Sequence, residues 1–139
     1  MTPITQFQGM YRWLSNFWPV YIEYEGRGFP SVEHAYQAAK LKPEAREPFQ
    51  SVHMKAGEAK RLGRGKEPAD WKERNLGIML DLLRLKFQDA KLRKSLLDTK
   101  DIELIEGNNW NDTFWGVCRG VGQNNLGKLL MQVRSELHG

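Results

Sequence analysis

Residues 67–88, EPADWKERNLGIMLDLLRLKFQ, carry the strongest helix pattern in the chain. Asp70 and Glu73 have the spacing of a capping box, which satisfies free backbone groups at the start of a helix. Apolar side chains then recur on one side of the segment at roughly helical spacing: Trp71, Ile78, Leu82 and Leu85, with Met79 and Leu83 beside them. The segment therefore predicts a long amphipathic helix whose apolar side packs against the rest of the chain.

Shorter elements are predicted on the N-terminal side of this helix. Residues 4–29 are typical of short strands and turns, and the alternating stretch VYIEYEG, 20–26, predicts a hairpin with RGFP, 27–30. Ser31 is a suitable N-cap for a first helix. A second helix is predicted over residues 51–62, ending at Gly63 and Gly65.

The C-terminal side is predicted to contain a short helix, a strand, a loop and a final helix. These are expected at residues 91–97, at 101–107, at 107–124 and from residue 125 onward, the loop being rich in Gly, Asn and Asp. The fold class is thus predicted to be α+β and mainly α. We expect a compact multihelical single domain over residues 1–139 with a small N-terminal β-hairpin.

The composition is that of a globular protein with a slight excess of basic residues. With 21 basic and 17 acidic residues the net charge is +4, which makes contact with anions plausible without requiring nucleic acid. A single cysteine, Cys118, excludes an intramolecular disulfide and favours a reducing compartment. The start lacks the pattern of a signal peptide, and no run of about eighteen apolar residues occurs, so a cytoplasmic protein without a membrane span is predicted.

The segment SVEHAYQAAK, residues 31–40, predicts a helix with one polar stripe. At about 100° per residue, Glu33, Tyr36, Gln37 and Lys40 fall within an arc of about 100°. A solvated face is the plainer explanation of such a stripe. The alternative is a functional site, because the helix dipole stabilises Glu33 as a carboxylate that can act as a base, and a desolvated Lys40 can attack a carbonyl.

Three further segments have both a structural and a functional interpretation. In NNWNDTFWG, residues 108–116, Asp112 either forms an Asx-turn or points at a planar ring held by aromatic side chains. The glycines within residues 120–127 are either turns or a phosphate-binding helix start. In AKRLGRGK, residues 59–66, Lys60 and Arg64 either complement the dipole of their own helix or hold a phosphate.

No metal site and no cofactor are predicted. The three histidines, His34, His53 and His138, have no metal-ligand spacing, and one cysteine is too few for a usual zinc set. Cys118 has no histidine near it in the sequence, so we expect a plain buried or loop thiol rather than a nucleophile.

Five segments taken together resemble the YbiA-like, or NADAR, family. They occur in the family's order and extend over nearly the whole chain: WLSNFWP (13–19), SVEHAYQAAK (31–40), AKRLGR (59–64), FWG (114–116) and GQNNLGKLLMQVR (122–134). The resemblance implies a compact, mostly helical domain that hydrolyses N-glycosidic bonds. The implied substrates are small ribosylated, phosphorylated heterocycles of early riboflavin synthesis, or ADP-ribosylated guanine, either free or within nucleic acid.

The resemblance also assigns roles to residues of this chain. Glu33 and Lys40 match the acid and the lysine of the motif VEH.YQ..K, and Asp112 matches the acid shortly before WG, so these three are the implied catalytic residues. The chain departs from the family where WG continues as VCRG instead of a polar pair, which alters the expected substrate edge there. The implied substrate-binding residues are Ser15, Asn16, Tyr36, Gln37, Lys60, Arg64, Trp71, Trp115, Gly116 and Asn124.

Two chemical routes and one non-enzymatic function are consistent with these residues. In the first route a carboxylate, Glu33 or Asp112, stabilises positive charge at the anomeric carbon of ribose or activates water. In the second, Lys40 displaces the heterocycle through a Schiff base that water then resolves. The alternative function is a non-catalytic module that binds ADP-ribose, a nucleotide or nucleic acid.

Overall fold

The computed structural model describes all residues from 1 to 139, and their backbone contacts group them into two units. One unit is Asn16–Lys86, and the other combines Met1–Ser15 with Phe87–Gly139. Five α-helices, three short 3-10 helices and two two-stranded sheets make up the fold, so the predicted α+β, mainly helical class is confirmed. None of the helices combines the length and apolarity needed to cross a bilayer.

The predicted N-terminal hairpin is confirmed in the unit Asn16–Lys86. Strand β1, Ile22–Tyr24, pairs antiparallel with strand β2, Arg27–Phe29. Glu25 and Gly26 form the connection with φ angles of 49° and 81°. Two left-handed residues in a two-residue turn match the right-handed twist of the strands, and glycine adopts this conformation without steric cost.

Three helices complete this unit: α1, Val32–Ala39; α2, Ala56–Gly63; and α3, Trp71–Lys86. Two 3-10 turns, Pro43–Ala45 and Glu47–Gln50, lie between α1 and α2. Helix α1 lies in the middle of the unit, because it packs against α2, α3 and both strands. Ser31 is its N-cap as predicted, and the Ser31 hydroxyl oxygen accepts the backbone N–H of His34 at 3.2 Å.

Helix α2 begins later than predicted, so the expected start at residue 51 is wrong. His34 is buried, and its Nε2 lies 2.6 Å from the backbone carbonyl oxygen of Met54, to which it donates. That contact fixes the segment before α2 in a non-helical conformation. The helix starts where the Glu58 carboxylate accepts the backbone N–H of Lys55 at 3.2 Å, which satisfies one of the free donors at the helix start.

Helix α3 buries the predicted stripe, with two polar residues among the apolar ones. Leu85 is only half-buried, whereas Asn75 and Lys86 are buried. The buried set is Trp71, Asn75, Ile78, Met79, Leu82, Leu83 and Lys86.

The second unit contains helix α4, Ala90–Asp98, which packs against helix α5, Asn125–His138, and both helices agree with the predicted ones. A 3-10 helix at Gly9–Leu14 was not predicted. Of the predicted strand over residues 101–107, only Leu104, which bridges to Ile4, and Gly107, which begins a later two-residue strand, form β-pairs. The reason is that the N-terminal segment pairs with it through few backbone groups, among them the Ile4 N–H, which donates to the Glu103 carbonyl at 2.9 Å.

Within the predicted loop of residues 107–124, two two-residue strands pair in parallel. They are β3, Gly107–Asn108, and β4, Val117–Cys118. The loop prediction is therefore correct for most of this segment. Cys118 is a buried thiol as expected, and its sulfur accepts a hydrogen bond from the Arg119 guanidinium at 3.3 Å.

Candidate functional site

Helix α1 has no solvated face, because every residue of Val32–Ala39 is buried. Three residues of the predicted polar stripe belong to this range: Glu33 is 8% exposed, Tyr36 6% and Gln37 5%. The fourth, Lys40, follows the helix as its C-cap, and its side chain is 7% exposed. The interpretation of the stripe as a solvated face is therefore wrong. Burying an acid, a phenol, an amide and an amine on one short helix is costly unless they have partners or a function.

Glu33 is fixed by contacts on both its backbone and its side chain. Its N–H donates to the backbone carbonyl of Asn16 at 3.0 Å, which places Asn16 at the start of α1. One turn further along the helix, the Gln37 amide nitrogen donates to the Glu33 carboxylate oxygen Oε2 at 2.6 Å. Glu33 also lies in the first turn, where the helix dipole stabilises negative charge. The carboxylate is thus oriented and little exposed to water.

Tyr36 lies between two residues of helix α3. Its hydroxyl oxygen accepts the Trp71 indole N–H at 3.2 Å, and the two rings are tilted with centroids 5.2 Å apart. The Asn75 side chain also forms a hydrogen bond with this hydroxyl. Burial raises the pKa of Tyr36 well above its usual value of 10, so the phenol is neutral at physiological pH and can donate or accept a hydrogen bond.

Lys40 ends helix α1 and is held by groups that follow α2. Its Nζ donates to the Glu67 carboxylate at 2.9 Å and to the Gly63 backbone carbonyl at 3.2 Å. The ammonium also lies 5.9 Å from the centroid of the Tyr36 ring. The hydrogen bond from Lys40 lowers the pKa of Glu67, so this carboxylate is ionised and the two side chains form an ion pair.

The predicted phosphate-binding residues lie near the end of helix α2. Lys60 is half-buried in the last turns of the helix, and Arg64 follows it and is exposed. The Arg64 backbone N–H donates to the Arg61 carbonyl at 3.2 Å. Both cations therefore lie on the segment that also supplies Gly63 and Glu67 to Lys40.

The other predicted catalytic acid, Asp112, lies in the second unit and shapes its own loop. Its Oδ1 accepts the backbone N–H of Phe114 at 3.2 Å and that of Trp115 at 2.9 Å. The Asx-turn interpretation is confirmed by these two bonds. Asn108, four residues earlier, stabilises the turn, because its Nδ2 donates to the backbone carbonyl of Asp112 at 2.9 Å.

Asn124 connects two separate parts of the second unit through its side-chain amide. Its Oδ1 accepts the Glu106 N–H at 2.9 Å, and its Nδ2 donates to the Leu104 carbonyl at 3.0 Å. The next two residues of α5 donate their N–H groups to the carbonyls of Phe114 and Trp115 at 3.2 and 2.9 Å. These amides already have partners, which favours the turn interpretation of the glycine-rich segment over a phosphate-binding helix start.

Three further predicted site residues belong to the second unit. Trp115 is half-buried, and its ring meets that of Phe114 edge to face at 4.8 Å. Gly116 lies so close to the Glu106 side chain and carbonyl that a Cβ atom would overlap with them. Ser15 ends the 3-10 helix, and its N–H donates to the Arg12 carbonyl at 2.9 Å.

The structure therefore divides the predicted site residues into two sets. The unit Asn16–Lys86 brings most of them together on and around α1. Sequence reasoning missed Asn75 and Glu67, which contact Tyr36 and Lys40. Asn75 could have been found as a polar residue one turn after Trp71 within an apolar stripe, whereas Glu67 has no comparable pattern. The second set comprises Ser15, Asp112, Trp115, Gly116 and Asn124.

The fold and the buried helix define a class of protein: a small, mainly helical α+β domain in which one internal helix presents a fixed carboxylate, a neutral phenol and an ion-paired amine. The NADAR domain profile matches residues 5–138, and the chain belongs to the NADAR domain family. The family resemblance predicted from the five sequence segments is thereby confirmed.

Relatives of this chain include riboflavin biosynthesis proteins and an N-glycosidase. The chain is 36% identical over 126 residues to the chloroplastic riboflavin biosynthesis protein PYRR of Zea mays and 38% identical over 137 residues to a riboflavin biosynthesis protein of Vibrio vulnificus. These matches cover 80% and 89% of this chain but only 20% and 35% of those longer proteins.

The N-glycosidase YbiA of Escherichia coli is similar in length as well as sequence. It is 37% identical over 131 residues, covering 88% of this chain and 79% of YbiA. The NMR structure of E. coli YbiA superimposes with a TM-score of 0.86 at 36% identity, covering 99% of this chain and 85% of that one. The fold is therefore shared along the whole chain.

Proposed function

We propose that this chain is an N-glycosidase, a hydrolase that cleaves the bond between ribose and a ribosylated, phosphorylated heterocycle. The observation that carries the proposal is the Glu33 carboxylate, which is 8% exposed and held at 2.6 Å by Gln37. A fixed carboxylate in a low-dielectric environment stabilises a developing cation more strongly than one in water. The names of the E. coli and Nostoc punctiforme relatives, both N-glycosidases, support the same activity.

In the proposed reaction, the bond between the anomeric carbon and the heterocycle nitrogen breaks while water supplies a new carbon–oxygen bond. Glu33 stabilises the oxocarbenium-like charge at the anomeric carbon and accepts a proton from the attacking water. The proton that Glu33 accepts passes on to the departing nitrogen. The products are the free heterocycle and ribose phosphate, or guanine and ADP-ribose when the substrate is ADP-ribosylated guanine. Asp112 is the second proposed acid.

A second route through Lys40 is part of the proposal. Its amine would attack the ring-opened sugar at the anomeric carbon, expel the heterocycle and form an imine, which water hydrolyses to regenerate the amine. The amine must first lose a proton and leave the ion pair with Glu67. Borohydride reduction during turnover should leave a mass adduct on Lys40 if this route operates, and an unmodified Lys40 would exclude it.

Recognition of the substrate is proposed for the residues around these groups. Trp71 or Trp115 would stack on the heterocycle or ribose, and Lys60 and Arg64 would hold the phosphate. We propose two substrate classes: early intermediates of riboflavin synthesis and ADP-ribosylated guanine. A cytoplasmic location is also proposed.

The test is turnover of ribosylated heterocycles by wild-type protein and by Glu33→Gln, followed by chromatography of the released base. Glu33→Gln retains a group that can bond to Gln37, so we expect normal folding and a fall in kcat of at least about 100-fold. The matched control is Glu23→Gln on the exposed side of β1, which should retain full activity. Full activity in Glu33→Gln would exclude the proposed acid, and binding without release of base by the wild type would favour the non-catalytic module.

A further inference from the structure

Three buried side-chain amide oxygens in the unit Asn16–Lys86 have no hydrogen-bond partner. They are Oδ1 of Asn16, Oε1 of Gln37 and Oδ1 of Asn75. The three residues are between 5% and 9% exposed. A buried acceptor without a donor is costly in free energy, so such groups are rare in folded proteins unless a ligand or water satisfies them.

Each of the three residues is hydrogen-bonded to Glu33 or to Tyr36. Asn16 accepts the Glu33 N–H through its backbone carbonyl, and Gln37 donates to the Glu33 carboxylate. Asn75 bonds to the Tyr36 hydroxyl. The Asn16 side chain also lies 3.5 Å from the sulfur of Met79, which is one helical turn after Asn75 on α3. The residues that carry the three unsatisfied acceptors thus all contact helix α1 or helix α3.

Of these three residues, Asn75 is the one whose buried position contributes least to the stability of the fold. It occupies the buried stripe of α3 between Trp71 and Met79, where an apolar side chain of similar size would pack without an unsatisfied atom. The Tyr36 hydroxyl oxygen accepts the Trp71 indole N–H and also bonds to the Asn75 side chain, yet Oδ1 of Asn75 is left without a partner. A buried polar residue that breaks the apolar pattern and leaves an atom unsatisfied is typical of a functional or strained site.

We infer that Asn75 is a specificity-determining residue that accepts a hydrogen bond from an exocyclic amino group on the heterocycle of the substrate. The inference rests on the proposed function for the nature of the ligand. Two aromatic rings, Tyr36 and Trp71, lie beside the amide, and such rings favour a planar heterocycle over the ribose as its partner. A site with an acceptor that only the correct substrate satisfies discriminates strongly against an analogue that lacks the donor.

Equilibrium binding tests this inference without requiring catalysis. The probes are two 5′-phosphorylated C-ribosides, in which a carbon–carbon bond replaces the cleavable bond, one with an exocyclic amino group on the ring and one with hydrogen there. By calorimetry the wild type should bind the amino probe at least about 10-fold more tightly. Asn75→Leu should lose about 10- to 100-fold in affinity for the amino probe while binding the other within about threefold of wild type.

The matched control is Ile78→Val, a conservative change in the same buried stripe, which should leave the preference for the amino probe intact. Far-UV circular dichroism checks that each variant is folded. Equal affinity of the wild type for both probes, or an unchanged preference in Asn75→Leu, would overturn the inference. Turnover of the cleavable N-riboside by wild-type protein is measured separately, so loss of the proposed N-glycosidase activity is distinguished from loss of the Asn75 contact.

Discussion

At the scale of single residues, the carboxylate of Glu33 depends on one neighbour. Gln37 is the residue four positions along the helix, and its amide nitrogen lies 2.6 Å from Oε2 of Glu33. An amide at this distance supports the ionised carboxylate without adding charge. The pair therefore offers a way to change the ionisation of Glu33 while leaving its position on the helix unchanged.

Gln37→Glu should move the acid limb of the pH profile of kcat/KM to higher pH by at least about one unit, because two adjacent carboxylates cannot both be ionised easily. The measurement is the initial rate on a ribosylated heterocycle between pH 4 and 9. Gln132→Glu is the matched control, since Gln132 makes the same four-residue contact with Glu136 at 3.2 Å on the exposed face of α5. A profile that moves equally in both variants, or in neither, would contradict a specific role for the Gln37 contact.

Lys86 gives a second prediction at this scale, which concerns stability. The residue is completely buried, and burial lowers its pKa from the usual 10.5 to about 7. Between these two values the unfolded chain binds a proton that the folded protein does not, so the free energy of unfolding rises with pH by up to about 1.4 kcal/mol per pH unit. Lys86→Met should remove this contribution.

Urea unfolding at several pH values from 7 to 10.5 measures the contribution of Lys86 as the difference in slope between wild type and Lys86→Met. Lys91→Met, at an exposed position of α4, is the control and should retain the wild-type slope. Parallel pH dependences for Lys86→Met and wild type would show that Lys86 is protonated to the same extent in both states.

At the scale of elements, the contact between α1 and α2 depends on the absence of a side chain. A Cβ atom on Gly63 would overlap with the amide of Gln37. Gly63→Ala should therefore destabilise the protein by about 1–3 kcal/mol through overpacking and displace Gln37 from Glu33, with a loss of activity. Gly57→Ala in the same helix meets only the end of the Arg61 side chain at 3.8 Å and should stabilise by about 0.5–1 kcal/mol. Chemical denaturation compares the two, and equal effects would contradict the packing argument.

The elements also show how much of the site could be predicted from the sequence. The hairpin, the Ser31 cap and the long helices are governed by local patterns, which is why they were predicted correctly. The periodicity of α1 revealed a polar stripe, but the same periodicity is produced by a solvated helix. Only packing against α2, α3 and the hairpin decides that the stripe is buried. The start of α2 was missed because it depends on a contact between His34 and Met54, twenty positions apart.

At the scale of the whole molecule, contacts between residues far apart in the sequence could not be predicted from local sequence patterns. The bridge between Ile4 and Leu104, and the amide of Asn124 that joins residues 104 and 106, have no local signature. Asn124, which makes such contacts, was assigned from family resemblance alone, whereas Asp112 was noted in the sequence with both a structural and a functional interpretation. Their catalytic and binding roles stay predictions.

The prediction of one domain over residues 1–139 can be tested by its unfolding. Each of the two units holds roughly 70 residues, and a core of that size alone rarely supplies more than about 3–5 kcal/mol. We therefore expect one cooperative transition in calorimetry, with equal calorimetric and van't Hoff enthalpies. Gly63→Ala lies in one unit, but it should lower the melting temperature of the single transition of the whole chain. Two resolved transitions, of which Gly63→Ala shifts only one, would contradict the prediction and show that Asn16–Lys86 is a separate domain. The functional residues on α1 would then belong to that domain alone.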